Sequence, residues 1–121
     1  MNNRMLSMLG LCARAGRLIT GEKACLQSIR AGSACAAVLD SRAADNAVKA
    51  MTDACASHGV PLARTGAFEL GGAIGKPSRM AAVITDARLA ARVMEFSGST
   101  ESTINKDTYM AGEARAVPTE D

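Results

Sequence analysis

With 121 residues and 12.5 kDa, the chain has room for one domain around one core and little more. Apolar residues make up 48% and charged residues 21%, as in a folded globular protein. The few aromatics, Phe68, Phe96 and Tyr109, exclude a broad platform for stacking single-stranded bases, and no apolar run approaches the roughly 20 residues of a bilayer-spanning helix. The net charge of +2 conceals an asymmetry: residues 1–96 carry 12 Lys/Arg against 7 Asp/Glu, residues 97–121 carry 2 against 5. A basic folded part is thus masked by an acidic tail. A modest basic excess is compatible with phosphate binding without specifying it.

The N-terminal stretch from Met5 to Ala13 is apolar behind Arg4, and Ala13-Arg14-Ala15 imitates a signal-peptidase site. Met5, Met8, Leu9 and Cys12, however, recur at helical spacing, Arg14 and Arg17 lie at the polar end, and Gly16 can stop the element. An amphipathic first helix is the reading adopted. Arg17 to Thr20 then reads as a short strand leading to Gly21. Glu22 to Ala31 reads as a helix with Cys25, Leu26 and Ile29 on one face and Gly32 just past its end. Ala34 to Asp40 is a buried strand, and Asp45 is expected to cap a helix carrying Val48, Met51 and Cys55 and ending at Gly59.

Val60 to Arg64 is a further strand, which Pro61 confines to a strand start or a sheet edge because it lacks a backbone donor. Thr65 is expected to cap a short helix to about Ile74, followed by a Gly75–Arg79 loop. Met80 to Thr85 is again a buried strand, and Asp86 caps a last helix with Leu89, Val93 and Phe96 facing inward. Strands and helices alternate, and two strands are apolar on both faces, which predicts a single-domain three-layer α/β/α sandwich with a central sheet of about four strands. The domain is placed at residues 1–96, and 97–121 is expected to be a flexible acidic polar tail.

Chemistry-bearing motifs are sparse. Cys12, Cys25, Cys35 and Cys55 form no C-x-x-C pair and His58 is the sole histidine, so no metal site is expected, and the thiols read as small core hydrophobes of a cytoplasmic protein. A cysteine nucleophile would have only His58 as its base, and Ser57-His58-Gly59 reads instead as a helix C-terminus. The Gly71–Pro77 stretch misses the phosphate-loop pattern in spacing, and Pro77 stands where that pattern has a hydroxyl residue. No dinucleotide fingerprint is present. The suggestive feature is the junction around Thr20, Gly21 and Glu22, where a strand end, a glycine and a helix start aim free N–H groups outward. Arg14, Arg17 and Lys23 add charge nearby, and Lys76 and Arg79 complete a compact basic site if the Gly75–Arg79 loop lies on the same edge. Such a site suits a bent RNA backbone; an ordinary solvated helix start is the other reading.

The stretches Leu9-Gly10-Leu11-Cys12-Ala13-Arg14-Ala15-Gly16-Arg17-Leu18-Ile19-Thr20-Gly21-Glu22 and Leu70-Gly71-Gly72-Ala73-Ile74-Gly75-Lys76, with Gly32, His58-Gly59-Val60-Pro61 and Val83-Ile84-Thr85-Asp86, carry a resemblance. Over about residues 3–96 the chain resembles the kink-turn RNA-binding ribosomal proteins of the L-seven-Ae type, especially their small bacterial YlxQ-like branch. The resemblance implies an α/β/α sandwich, no catalysis, no cofactor, and structured RNA as partner, ribosomal or otherwise kink-turn-containing, with possible ribosome association. The family's kink-turn readers follow a Gly-x-Asn-Glu pattern with Lys three residues on. Counted from Gly21 those positions are Lys23, Ala24 and Gln27 here, so none is retained in kind. Lys23 can still donate to a guanine edge or a phosphate, and Gln27 can pair with an adenine edge. The loop that contacts the kink corresponds to Ile74 through Met80, and RNA-binding residues are accordingly expected at Arg14, Arg17, Thr20, Gly21, Glu22, Lys23, Gln27, Gly75, Lys76 and Arg79. A protein-interaction adaptor that has lost base readout is the competing expectation.

Overall fold

The computed structural model describes residues 3–97. Five helices alternate with four strands: α1 (Asn3–Arg14), β1 (Leu18–Thr20), α2 (Glu22–Ala31), β2 (Ala36–Asp40), α3 (Asp45–His58), β3 (Leu62–Thr65), α4 (Glu69–Ile74), β4 (Ala81–Ile84) and α5 (Ala87–Ser97). Ser97 therefore closes α5 rather than opening the tail, and the rest of the expected acidic tail lies outside the described residues.

The sheet order is β1-β4-β2-β3. β2 and β3 are parallel, whereas β4 runs antiparallel to both of its neighbours, pairing Thr20 with Ala82 and Val38 with Ala82 across its two sides. β1, β2 and β3 thus point the same way, with β4 inserted between the first two. β3 is an edge strand with Pro61 just before its first residue, and the Pro61 carbonyl accepts from Ala37 N–H at 2.9 Å.

Alternation along the inner strands divides one apolar sequence between two cores. Ala36 and Val38 of β2 and Ala82 and Ile84 of β4 face α1, α4 and α5, where they pack with Met5, Leu9, Cys12, Leu70 and Val93. Ala37, Leu39, Ala81 and Val83 face α2 and α3, where they meet Cys25, Ile29, Met51 and Cys55. β4, and β2 from Ala36 to Leu39, are apolar at every position because both faces are covered, which is the expected α/β/α sandwich.

Two expected caps are corrected. Thr65 does not cap a helix: it is the last residue of β3, its hydroxyl donates to Asp40 Oδ2 at 3.1 Å, and α4 starts only at Glu69. Asp45 is the first helical residue of α3 rather than its cap. Ala44 occupies the cap position with no side-chain bond, and the Asp45 charge acts on the helix dipole instead. Asp86 does cap α5, accepting from Leu89 N–H at 3.0 Å, and the His58 ring lies 3.1 Å from the Ala54 carbonyl at the end of α3.

Candidate nucleic-acid interface

Parallel β1, β2 and β3 bring their carboxyl ends to one edge of the sheet, and the reversed β4 brings its amino end there. That edge therefore collects Gly21 and the start of α2, the 41–44 loop, the 66–68 turn and the 75–80 loop. Carboxyl ends of strands in α/β sheets are where ligands bind most often.

The centre of this edge is Gly21. Its φ of 95° lies in the left-handed region, its N–H donates to the Ala81 carbonyl at 3.1 Å, and a Cβ placed on it would sit 3.3 Å from Arg79 Nη1. Arg79 thus lies directly over the strand-to-helix junction, so the loop does share the edge with the α2 start. No side chain caps α2, which leaves its first N–H groups and its partial positive charge available. Glu22, Lys23 and Gln27 are exposed there, with Lys23 and Gln27 one turn apart on the same face. Thr20 is half-buried at the end of β1, and Ala24 is exposed but offers only a methyl group.

The 75–80 loop is held by close backbone contact. A Cβ on Gly71 would lie 2.7 Å from the Lys76 carbonyl oxygen and 2.8 Å from Pro77 Cα, so only glycine lets the loop fold back against α4. Gly75 closes α4 in the left-handed conformation, and Arg79 N–H donates to Lys76 O at 2.9 Å, a tight turn that keeps exposed Lys76 and Arg79 together.

Arg14 and Arg17 are not brought to this cluster. Arg17 stands before the first residue of β1, its carbonyl bonded to Thr85 N–H at 3.0 Å, and four extended residues put its Cα roughly 13 Å from that of Gly21. Arg14 ends α1 at the same far edge, with its guanidinium beside Gly10. The physical reason is the direction of β1, which carries Arg17 to the opposite end of the strand from the α2 start.

Two residues that the sequence reasoning passed over do reach the edge. Arg42 lies in the loop after β2, and its guanidinium sits 5.7 Å from the centroid of the Phe68 ring. Phe68 is 58% exposed and adopts φ 62°, the single left-handed non-glycine among the described residues. Such backbone costs of order 1–2 kcal/mol in a non-glycine residue. Asp40 holds both: its Oδ1 accepts from the N–H groups of Arg42 and Phe68, each at 2.9 Å, while Oδ2 accepts from Leu70 N–H and Thr65 Oγ1, each at 3.1 Å. Burial pushes the Asp40 carboxyl up, but these donors outweigh it and hold the group below its usual value. The available signal was positional: a carboxylate ending a buried strand at the carboxyl edge of the sheet.

The four cysteines are free, and all but half-buried Cys35 are buried. Burial pushes the thiols of Cys25 and Cys55 up to about 12, the neighbouring Cys55 adding to the effect at Cys25. Neither is a thiolate near neutral pH.

The chain matches the ribosomal protein L7Ae/L30e/S12e/Gadd45 family over residues 3–94. It is 32% identical over 90 residues to RNA-binding protein YlxQ of Bacillus subtilis (strain 168), a match spanning 74% of this chain and 90% of that relative. Among solved structures, a protein with unknown function from Bacillus halodurans is similar with TM-score 0.76 and 32% identity, covering 79% of this chain and 98% of the other. The Giardia lamblia 15.5kD RNA binding protein is similar in fold, with TM-score 0.66 at 22% identity over 79% of this chain and 83% of the other.

Proposed function

The chain belongs to the ribosomal protein L7Ae/L30e/S12e/Gadd45 family, and from that premise we propose that it is a non-catalytic RNA-binding protein acting in the cytoplasm, in the ribosome or translation context. The 1–96 domain engages structured, kink-turn-like RNA through the α2 start and the Gly75–Arg79 loop. The observation that carries this reading is Arg79 over Gly21, with Lys23 and Lys76 exposed on the same edge. A sharply bent backbone brings phosphates close together, and the edge offers arginine and lysine heads beside uncapped N–H groups.

Each residue has a distinct chemistry. Arg79 can bind a phosphate with two parallel hydrogen bonds, whereas Lys23 and Lys76 act as point charges or donate to a guanine edge. Glu22 can accept from a base amino group, Gln27 can pair with an adenine edge, and Thr20 can donate from its hydroxyl. Gly21 and Gly75 let the backbone approach without a Cβ. The Arg42–Phe68 pair on the same edge presents one aromatic face to an unpaired base. Arg14 and Arg17 serve only an RNA long enough to run down the edge of β1.

A second reading, a protein-interaction adaptor on the same fold, is favoured by one observation: Ala24, exposed in the first turn of α2, offers no polar group to a base. Titration of the full chain against a kink-turn RNA and a matched straight duplex, each at two salt concentrations, decides between them. Tighter binding to the kinked RNA is expected. With about four phosphate contacts, log affinity should fall with log salt at a slope of roughly −3 to −4. Equal, weak binding to both would remove the kink-specific part, and no binding to either would leave the adaptor.

A further inference from the structure

A second basic surface lies on the outer face of α1 and α5, the helices that cover the sheet face opposite α2 and α3. α1 ends and α5 begins at the same end of the sheet, since Arg17 N–H bonds to the Cys12 carbonyl and β1 pairs with β4 up to Leu18–Ile84. The two helices are therefore antiparallel, and Arg4 near the start of α1 meets Phe96 near the end of α5. Arg4 and Arg92 both lie over the Phe96 ring, at 5.9 and 4.9 Å from its centroid. With Leu11, Arg14 and Glu95 they line a shallow depression of about 740 Å³. Leu11 is 42% exposed. Three arginines against one carboxylate make this depression cationic, with Met8, Leu11 and Phe96 also in its lining.

The chain leaves α5 at Ser97, the residue after Phe96. The following 24 residues, 98–121, carry Glu101, Asp107, Glu113, Glu120 and Asp121 against Lys106 and Arg115. Ile104, Tyr109 and Met110 stand among those acids. From Ser97 to Ile104 the chain can reach up to ~25 Å, more than the length of α1, which at ~1.5 Å per residue is ~18 Å. Direct attachment gives such a segment an effective concentration of order millimolar at a neighbouring surface, so contacts of modest strength suffice to populate it.

We propose that residues 98–121 of this chain seat on the α1/α5 face, their carboxylates against Arg4, Arg14 and Arg92 and their apolar residues over Leu11 and Phe96. The charges are opposite, the apolar residues are interleaved with the acidic ones, and the segment starts at the lip of the depression. The seat lies on the α1/α5 layer, on the other side of the sheet from α2.

The test uses the full chain without RNA, with Tyr109 replaced by p-benzoylphenylalanine. After irradiation at low salt, cross-links are mapped by mass spectrometry in a mixture of isotopically heavy and light chains, which separates links within a chain from links between chains. Links within one chain to residues 3–14 or 88–96 are expected. Their yield should fall severalfold in the Arg4→Glu/Arg92→Glu variant and at high salt, where screening shortens the range of charge interactions. A thermal melt checks that the variant is folded, and Arg92→Gln serves in its place if it is not. Links to the Gly21–Arg79 edge, links only between chains, no links, or a yield indifferent to the substitutions would overturn the proposal.

Discussion

Thr65 and Asp40 are paired across the parallel strands β3 and β2, and the Thr65 hydroxyl donates to Asp40 Oδ2 at 3.1 Å inside the protein. That bond is one of four on a carboxylate with no exposed surface, the others coming from backbone N–H groups of Arg42, Phe68 and Leu70. A single buried side chain therefore ties the end of β2, the 41–44 loop, the end of β3 and the start of α4 into one edge.

Replacing Asp40 with Ala should destabilise the protein by about 3 kcal/mol or more, because three backbone donors and the buried Thr65 hydroxyl lose their acceptor. Asp40→Asn keeps the shape but turns one acceptor into a donor facing donors, and should cost nearly as much. Urea unfolding measures both. A loss below about 1 kcal/mol in the Ala variant would show that water takes over the carboxylate's bonds.

The α2 start and the 75–80 loop are tested by charge reversal. Lys23→Glu, Lys76→Glu and Arg79→Glu should each weaken RNA binding and reduce the salt slope by about one unit. Their melting temperatures should stay near the parent value, since all three side chains are exposed. Arg17→Glu, at the far end of β1, should change affinity for a short kinked RNA much less. Equal losses at Arg17 and Arg79 would mean that the RNA footprint covers the whole β1 edge.

Much of this architecture was legible locally, and what was not has a common physical cause. β2 and β4 could be read because Ala36–Leu39 and Ala81–Ile84 are apolar at odd and even positions alike, which only a doubly covered strand requires. Gly21 could be read because a strand, a glycine and a helix start follow one another in the chain. Thr65 misled because a hydroxyl residue before a helical stretch looks the same as a hydroxyl residue ending a strand. The partner that decides between them, Asp40, is 25 residues away. The placement of β4 between β1 and β2 is likewise written in no local pattern. It shapes the candidate edge, since it brings the loop before β4, and with it Arg79, beside Gly21. Phe68 and Arg42 were missed for the same reason: each is unremarkable in its own segment, and only Asp40 brings them together.

Phe68 can be separated from folding. Asn tolerates the left-handed conformation that Phe68 is held in, so Phe68→Asn should leave stability within about 0.5 kcal/mol of the parent. If an unpaired base stacks on the ring, RNA affinity should fall by about 1 kcal/mol or more, roughly fivefold. Filter binding against the same RNA with and without an unpaired nucleotide reads this directly: the loss should appear only with the unpaired nucleotide present.

The thiols give a chemical test of the non-catalytic reading. Cys25 and Cys55, pushed up to about 12 by burial, should resist iodoacetamide in the folded protein at pH 8, and half-buried Cys35 should label first. Mass spectrometry of peptides over a time course gives the order. Fast labelling of Cys25 would count against the non-catalytic reading.

Acid stability provides the last test. The Asp40 carboxyl titrates below its usual value in the folded protein, so the unfolded chain binds the proton more readily than the folded one. The sign follows from linkage: Asp40 adds stability that is fully present above the unfolded value, near ~3.9. That stability is lost as pH falls from there through the folded pKa. Between about pH 5 and pH 7 this group should contribute no pH dependence. Below about pH 4 the parent should lose stability with each further step in pH, while Asp40→Asn, already lacking the charge, should show a shallower decline. Urea midpoints for the two proteins at a series of pH values measure the difference. Parallel curves would mean that the donors around Asp40 favour the ionised form less than their number suggests.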